Sequence, residues 1–272
     1  MKPAALDYIR ADSSEEACAL LAEYGEQGRI LAGGQSLLPM LNMRLAQPRA
    51  LIDVARAQDL AQARIEDGML RIGAAVTQAT VQWRPRLRQD VPLLAQAFPH
   101  IGHVQTRNRG TVCGSIAHAD PSAELPLCLA VLGGQIALRS ASGRRTLAAA
   151  RFFQGPLTTV RRADELVEDV GFPLARPGER YGFTEVAMRH GDFAIVSLAA
   201  VVSADEIHLG VGGVAGIPRV QRWPALRDND LDDALNQLAW DLDARDDVHA
   251  SAAYRRHLVR TLGKKLVLEL QA

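Results

Sequence analysis

The feature that most constrains this chain is a short apolar stretch that runs straight into paired glycines, ILAGGQSLL at residues 30–38. A strand ending in Gly33-Gly34 lets backbone N–H groups converge with no Cβ in the way, and such a nest suits a diphosphate. A strand-ending turn would use the same letters. A second stretch, GTVCGSIAHADPSAELP at 110–126, is crowded with small residues, preceded by Arg107 and Arg109 and followed by a helical run. It too can present backbone donors to an anion, and two nests in one fold suggest a dinucleotide. Neither stretch carries the lysine of G-x-x-x-x-G-K-[ST], so triphosphate hydrolysis is not supported.

Around these loops the hydrophobic periodicity predicts a helix over 14–24, capped by Ser13 or Ser14 and ended by Gly25 and Gly28, with Ala17, Leu20, Leu21 and Tyr24 on its apolar face. A strand at 29–31, the apolar segment SLLPMLNMRL and a buried strand at 50–54 follow. Alternation over 63–66 and 69–73, joined by Asp67-Gly68, predicts a hairpin. Helices are expected at about 77–83, 92–101 and 124–132, with an Arg- and Gly-rich loop over 105–115. A second hairpin, 135–147, turns at Ser142-Gly143 and leads to a strand at 165–172; PLARPGER (173–180) is the best linker. Strands at 181–188, 194–202 and 207–214, then helices at 231–243 and 251–271, complete an α+β chain.

Composition removes several function classes. The 272 residues, 48% hydrophobic, are enough for a substantial core and about two domains. Lys plus Arg and Asp plus Glu number 31 each, which leaves no basic surface for nucleic acid. The longest nearly apolar run, 194–204, is too short to cross a bilayer, and the opening MKPAALDYIRADSSEE is charged too early for a signal peptide, so the expectation is a soluble, cytoplasmic protein. Cys18, Cys113 and Cys128 are odd in number and show no C-x-x-C spacing. An ordinary iron-sulfur cluster needs four thiolates, so any cluster must sit on a partner. His100 and His103 have ligand-like spacing but no carboxylate or thiol beside them, which predicts solvent or cofactor-edge residues and no metal site.

The paired motifs AGGQSLLPMLNMRLAQP (32–48) and RNRGTVCGSIAHADPSAELP (107–126) closely resemble those of the FAD-binding subunit of the carbon monoxide dehydrogenase and xanthine dehydrogenase family of molybdenum hydroxylases. DELVEDVGFP (164–173) and RHGDFAIVSLAA (189–200) follow in the expected order, so the resemblance spans nearly the whole chain. It implies a two-lobed FAD-binding fold of the vanillyl-alcohol oxidase (PCMH) type, with lobes at 1–57 and 58–175, followed by a small α+β domain of the CO dehydrogenase flavoprotein type at 179–272. By that resemblance Ala32, Gly33, Gly34, Gln35, Ser36 and Leu37 wrap the pyrophosphate, and Thr111, Gly114 and Ser115 bind from the other side. Ala117, Asp120 and Glu124 lie near the ribose and adenine half, Ile101 near the flavin, and Leu166 against the cofactor. Asp192 lies near the flavin ring or caps the segment that follows it.

The implied function is electron transfer, with no catalytic acid or base on this chain. FAD takes electrons from [2Fe-2S] clusters of a small iron-sulfur subunit, fed by the molybdenum cofactor of a large subunit, in a dimer of heterotrimers. Two rivals are a stand-alone flavin oxidoreductase of the same fold and a cofactor-free assembly protein. The chain departs from the family pattern twice. Cys113 replaces the first of two glycines, as a packed residue or a reactive thiol, and a lysine often found near the flavin is replaced around Thr184 to Glu185. GVGGVA (210–215) matches a dinucleotide fingerprint, but Pro218 follows where a helix should begin, so a strand ending in a turn is expected. His118 reads as packing or as a hydrogen bond within the second motif. Arg255, Arg256, Lys264 and Lys265 read as the solvated face of the last helix or a partner contact.

Overall fold

The computed structural model describes residues 2–272. Its first sheet is small and parallel: Ala50–Asp53 lies between Asp7–Arg10 and Gly28–Leu31, with Ala50 opposite both Asp7 and Gly28. The crossover is the helix Ser14–Tyr24, which begins where the Ser13 side chain accepts from Glu16 N–H and buries Ala17, Cys18 and Leu21. A second, antiparallel sheet of five strands runs in the order Ala63–Glu66, Met69–Gly73, Leu166–Pro173, Gln135–Ser140, Gly143–Ala148. Its central strand, LVEDVGFP, is buried along most of its length, with the helices Ser14–Tyr24 and Val112–His118 packed on it and Arg71 and Arg144 pairing with its Asp169.

A third sheet is a four-stranded meander: Arg180–Ala187, Ala194–Val202, Glu206–Gly212 and Arg219–Pro224. All nine residues of Ala194–Val202 are buried, as a near-continuous apolar run requires. The helix Ala252–Gln271 packs on this sheet and Asp228–Asp241 packs against that helix; the helix Glu124–Val131 also meets the sheet. That meeting needs a missing side chain. A Cβ on Gly210 would lie 2.2 Å from Val131 Cγ2 and 2.8 Å from Leu127 Cδ1, so glycine alone lets the helix settle there.

Several elements differ from the sequence reading. The expected loop over 105–115 is two short helices, Val104–Arg109 and Val112–His118, parted at Gly110. Thr111 caps the second through Gly114 N–H, and the buried Arg107 guanidinium fixes the first by donating to Ile101 O, Gly102 O and Gln82 Oε1. SLLPMLNMRL contains the helix Leu37–Asn42. The helix expected over 92–101 stops at Ala97 and gives way to a tighter turn, Phe98–His100, around Pro99. The second hairpin turns one residue earlier than expected, since Ser140 pairs with Gly143. Asp7–Arg10 and Arg219–Pro224 were not anticipated; both are edge strands without a buried apolar run. GVGGVA does end a strand, and Gly213 turns the chain at φ +77°.

Gly210→Val is expected to cost about 1–3 kcal/mol of unfolding free energy, because the helix must move away from the sheet. Urea denaturation checks this. Gly155→Ala, whose added methyl meets only Thr158 Cβ at 4.0 Å, should unfold near the wild-type midpoint.

Candidate functional site

The strand Gly28–Leu31 delivers Ala32, Gly33 and Gly34 to the seam between the first two sheets. A Cβ on Gly33 would lie 2.2 Å from the Arg109 carbonyl oxygen and 2.6 Å from Gly110 Cα, so the two glycine loops touch backbone to backbone. Gly34 takes φ +72°, a conformation that side chains resist. Among the described residues the backbone N–H groups of Gly33, Gly34, Gln35, Ser36 and Leu37 have no acceptor within the chain. Consecutive N–H groups without acceptors are what a backbone anion nest requires.

The facing wall begins at Thr111. A Cβ on Gly114 would lie 2.7 Å from Thr111 Oγ1, so the residue type is dictated by the cap itself. The helix Val112–His118 ends at Ala119, with Asp120 Oδ1 accepting from Ser122 N–H at 2.8 Å, and the helix Glu124–Val131 starts directly afterwards. Between the walls runs a cleft of about 1270 Å³, larger than the ~300–1,000 Å³ of ordinary small-molecule pockets and suited to an extended dinucleotide.

All fifteen residues singled out in the sequence line this one cleft: Ala32, Gly33, Gly34, Gln35, Ser36, Leu37, Ile101, Thr111, Gly114, Ser115, Ala117, Asp120, Glu124, Leu166 and Asp192. Asp192 also closes its own turn, with Arg189 Nε donating to Oδ2 at 3.0 Å. Lining residues that the sequence reading passed over include Arg161, Thr106, Met188, Phe193, Asp247 and His249. They come from four stretches of the chain, and of these residues only Phe193 lies within a motif singled out in the sequence.

Arg255 corrects an expectation. It is buried instead of solvated: its guanidinium donates to Ile195 O (2.7 Å), Gly213 O (2.6 Å) and Asp247 Oδ2 (2.5 Å), tying the last helix to the far end of the cleft. Arg256 covers the Trp240 ring at 4.2 Å, and Lys264 pairs with Asp232 at 2.8 Å.

His100, expected in solvent or at the cofactor's edge, is neither free in solvent nor among the residues that line the cleft. It is half-buried, and its Nδ1 lies 3.3 Å from Glu185 Oε1; that partner raises the imidazole above its ordinary value. Glu185 Oε2 is buried without a hydrogen-bond partner. Glu124 lies close by, and burial pushes its carboxyl up to about 8, with the charge of Glu185 adding to the effect. Cys113 is buried, donates to Ile72 O, and has its thiol pushed well above the usual range by desolvation, which favours packing over reactivity. His103 sits against Gly191, and His118 lines the cleft. Among the described residues no three His, Cys, Asp or Glu side chains gather as a metal site, and no helix is long and apolar enough to cross a membrane.

Comparison with known proteins fits this geometry. Residues 4–175 match the model of the FAD binding domain in molybdopterin dehydrogenase, and residues 181–270 match the CO dehydrogenase flavoprotein C-terminal domain. The chain belongs to the FAD-binding medium subunits of the molybdenum hydroxylases.

Among relatives in this family, the nicotine 6-hydroxylase medium subunit of Paenarthrobacter nicotinovorans is 38% identical, covering 100% of this chain and 99% of the relative. The carbon monoxide dehydrogenase medium chain of Hydrogenophaga pseudoflava is 35% identical over 74% of this chain and 70% of its own. The solved structure of carbon monoxide dehydrogenase from H. pseudoflava lacking the Mo-pyranopterin moiety superimposes with a TM-score of 0.93 at 28% identity, covering 100% of this chain and 99% of that one. Quinoline 2-oxidoreductase from Pseudomonas putida 86 gives 0.91 at 31% identity, with 99% and 98% covered. The α+β medium-subunit fold expected from the motifs is therefore the fold of the chain.

Protonation of Glu124 gives a pH prediction. Between its ordinary 4.5 and about 8 the folded chain keeps a proton that the unfolded chain releases, so stability falls as pH rises through that window. His100 acts in the same direction, since its raised value stabilises the fold below the ordinary 6.5 and the gain is lost as pH rises through the raised value. The unfolding free energy should decline by at most about 1.4 kcal/mol per pH unit for Glu124. Glu124→Gln should flatten the decline, as urea titrations from about pH 5 to 8 measure.

Proposed function

We propose that this chain binds FAD in the cleft between its glycine loops and acts as the electron-transfer subunit of a molybdenum hydroxylase complex. Electrons arrive from [2Fe-2S] clusters of a small partner subunit, supplied by the molybdenum cofactor of a large subunit, and leave for an external acceptor. The observation that carries the reading is the row of free N–H donors from Gly33 to Leu37 facing the wall from Thr111 to Ser115. FAD fits it: two backbones meet where no Cβ is tolerated, and the free donors match the charge of a diphosphate.

In this reading Gly33, Gly34, Gln35, Ser36 and Leu37 hold one side of the diphosphate, and Gly114 and Ser115 the other. Ile101 and Asp192 lie toward the flavin, while Ala117, Asp120, Glu124 and Leu166 line the rest of the cofactor. Bound FAD supplies the redox chemistry, and the chain supplies position and electrostatics. The segments 1–57 and 58–175 form the two lobes of the cleft, and 179–272 is the domain that closes its far end. The assembly is a dimer of heterotrimers in the cytoplasm, a compartment supported by three buried, unpaired cysteines.

The test has two parts. Purified chain should bind about one FAD per chain, followed by flavin absorption, and Gly33→Val should weaken binding about 100-fold or more, equivalent to about 2.7 kcal/mol, because the new side chain strikes the Arg109 carbonyl. In the assembled complex, reducing substrate should bleach the flavin, and removing FAD should stop transfer to the natural acceptor while the molybdenum subunit still reacts with its substrate. An isolated chain that oxidises a small substrate alone would contradict this, as would a complex that works without flavin.

A further inference from the structure

A second cavity, of about 690 Å³, lies behind the glycine loops. Ala32 and Thr111 line both it and the cofactor cleft, so the wall between the two is the contact of Gly33 with the Arg109 carbonyl. Tyr8, Arg10, Asp53 and Arg56 reach it from the first sheet and its following loop, Asn108 and Arg109 from the facing unit. It spans the seam on which the cofactor cleft depends.

Its charge is not balanced. Three guanidinium groups face one lining carboxylate in a chain whose charges cancel overall. That carboxylate is already engaged, because Asp53 accepts from the Tyr8 hydroxyl and from Ala55 N–H. Arg10 shares Asp12 at 3.2 Å on the exposed surface. Among the described residues the side chains of Arg56, Arg109 and Asn108 make no hydrogen bond and no ion pair. Arg10 and Arg56 line this cavity together with Arg109 and Asn108.

The size of the cavity separates a small anion from a polypeptide. A water molecule occupies about 30 Å³, so the cavity holds far more than one inorganic anion, and its arginines stand exposed at the rim instead of closing over a single group. Tyr8, exposed at 59%, and the arginines are the residue types that anchor protein interfaces. A guanidinium fork takes a carboxylate in two parallel bonds.

We propose that this cavity is the docking point for an acidic segment of a partner subunit, one that carries two or more Asp or Glu carboxylates. The glycine-loop wall then has two functions, with cofactor on one side and partner on the other. The inference rests on the proposed function only in taking the chain to be part of a complex.

The experiment co-expresses the full chain with the partner subunits of its complex and measures association of the purified components at several salt concentrations. Arg10→Glu with Arg56→Glu should weaken association at least about tenfold, and the wild-type affinity should fall as salt rises. Arg10→Lys with Arg56→Lys should stay much nearer to wild type. FAD content of the isolated chain, which shows that the variants are folded, should be unchanged in both. A charge-reversed variant that binds FAD and assembles as tightly as wild type overturns the proposal. So does micromolar, Arg56-dependent binding of inorganic phosphate or ADP by the isolated chain, which would make the cavity a small-anion site. Failure of wild type to bind FAD would count against the proposed function and leave the docking result to be judged on assembly alone.

Discussion

The contact on which the rest depends is the approach of Gly33 to the Arg109 carbonyl. Two loops far apart in the chain, one following a strand of the first sheet and one between two short helices, meet there with no room for a methyl group. The meeting sets the separation of the two cleft walls. It leaves the N–H groups of one loop without acceptors in the chain, in the same cleft as the cap of the Val112–His118 helix. Arg107, buried beneath, fixes the second loop by donating to Ile101 O and Gly102 O, which fastens the flanking wall to the same point. A single backbone contact therefore couples three segments that the cleft needs in register.

The third sheet closes the cleft by a similar device. Gly210 lets the helix Glu124–Val131 lie against the meander, and the start of that helix carries Glu124 into the wall. Around Thr184 to Glu185, where the resemblance leads one to expect a lysine, the chain has Glu185 beside His100 at 3.3 Å, with a second carboxylate, Glu124, in reach of its charge. Replacing a cation by an anion at such a depth would ordinarily be costly. Here the imidazole takes up one carboxylate, and burial keeps a proton on the other.

Much of this was legible in the sequence, for physical reasons. The glycine loops could be read because close approach of backbones restricts residue type, and the strand Ala194–Val202 because burial on both faces demands an unbroken apolar run. The hairpin Ala63–Glu66 to Met69–Gly73 was announced by its turn. What could not be read came from distant partners. The helices on either side of Gly110 exist because Arg107 and Thr111 find acceptors and donors of their own. Arg255 looked like part of a solvated helix face, since its acceptors, Ile195 O, Gly213 O and Asp247, lie in three other segments. Edge strands such as Arg219–Pro224 bury too little to leave a pattern.

If the free N–H groups of residues 33–37 hold a diphosphate, a crystal structure of the chain loaded with FAD will reveal diphosphate oxygens within about 3 Å of those N–H groups, with Gly114 and Ser115 on the opposite side and the cofactor running along the cleft toward Ile101. A cofactor seated elsewhere, or a diphosphate held by side chains with the N–H groups of Gly33 to Leu37 turned away from it, would rule this out.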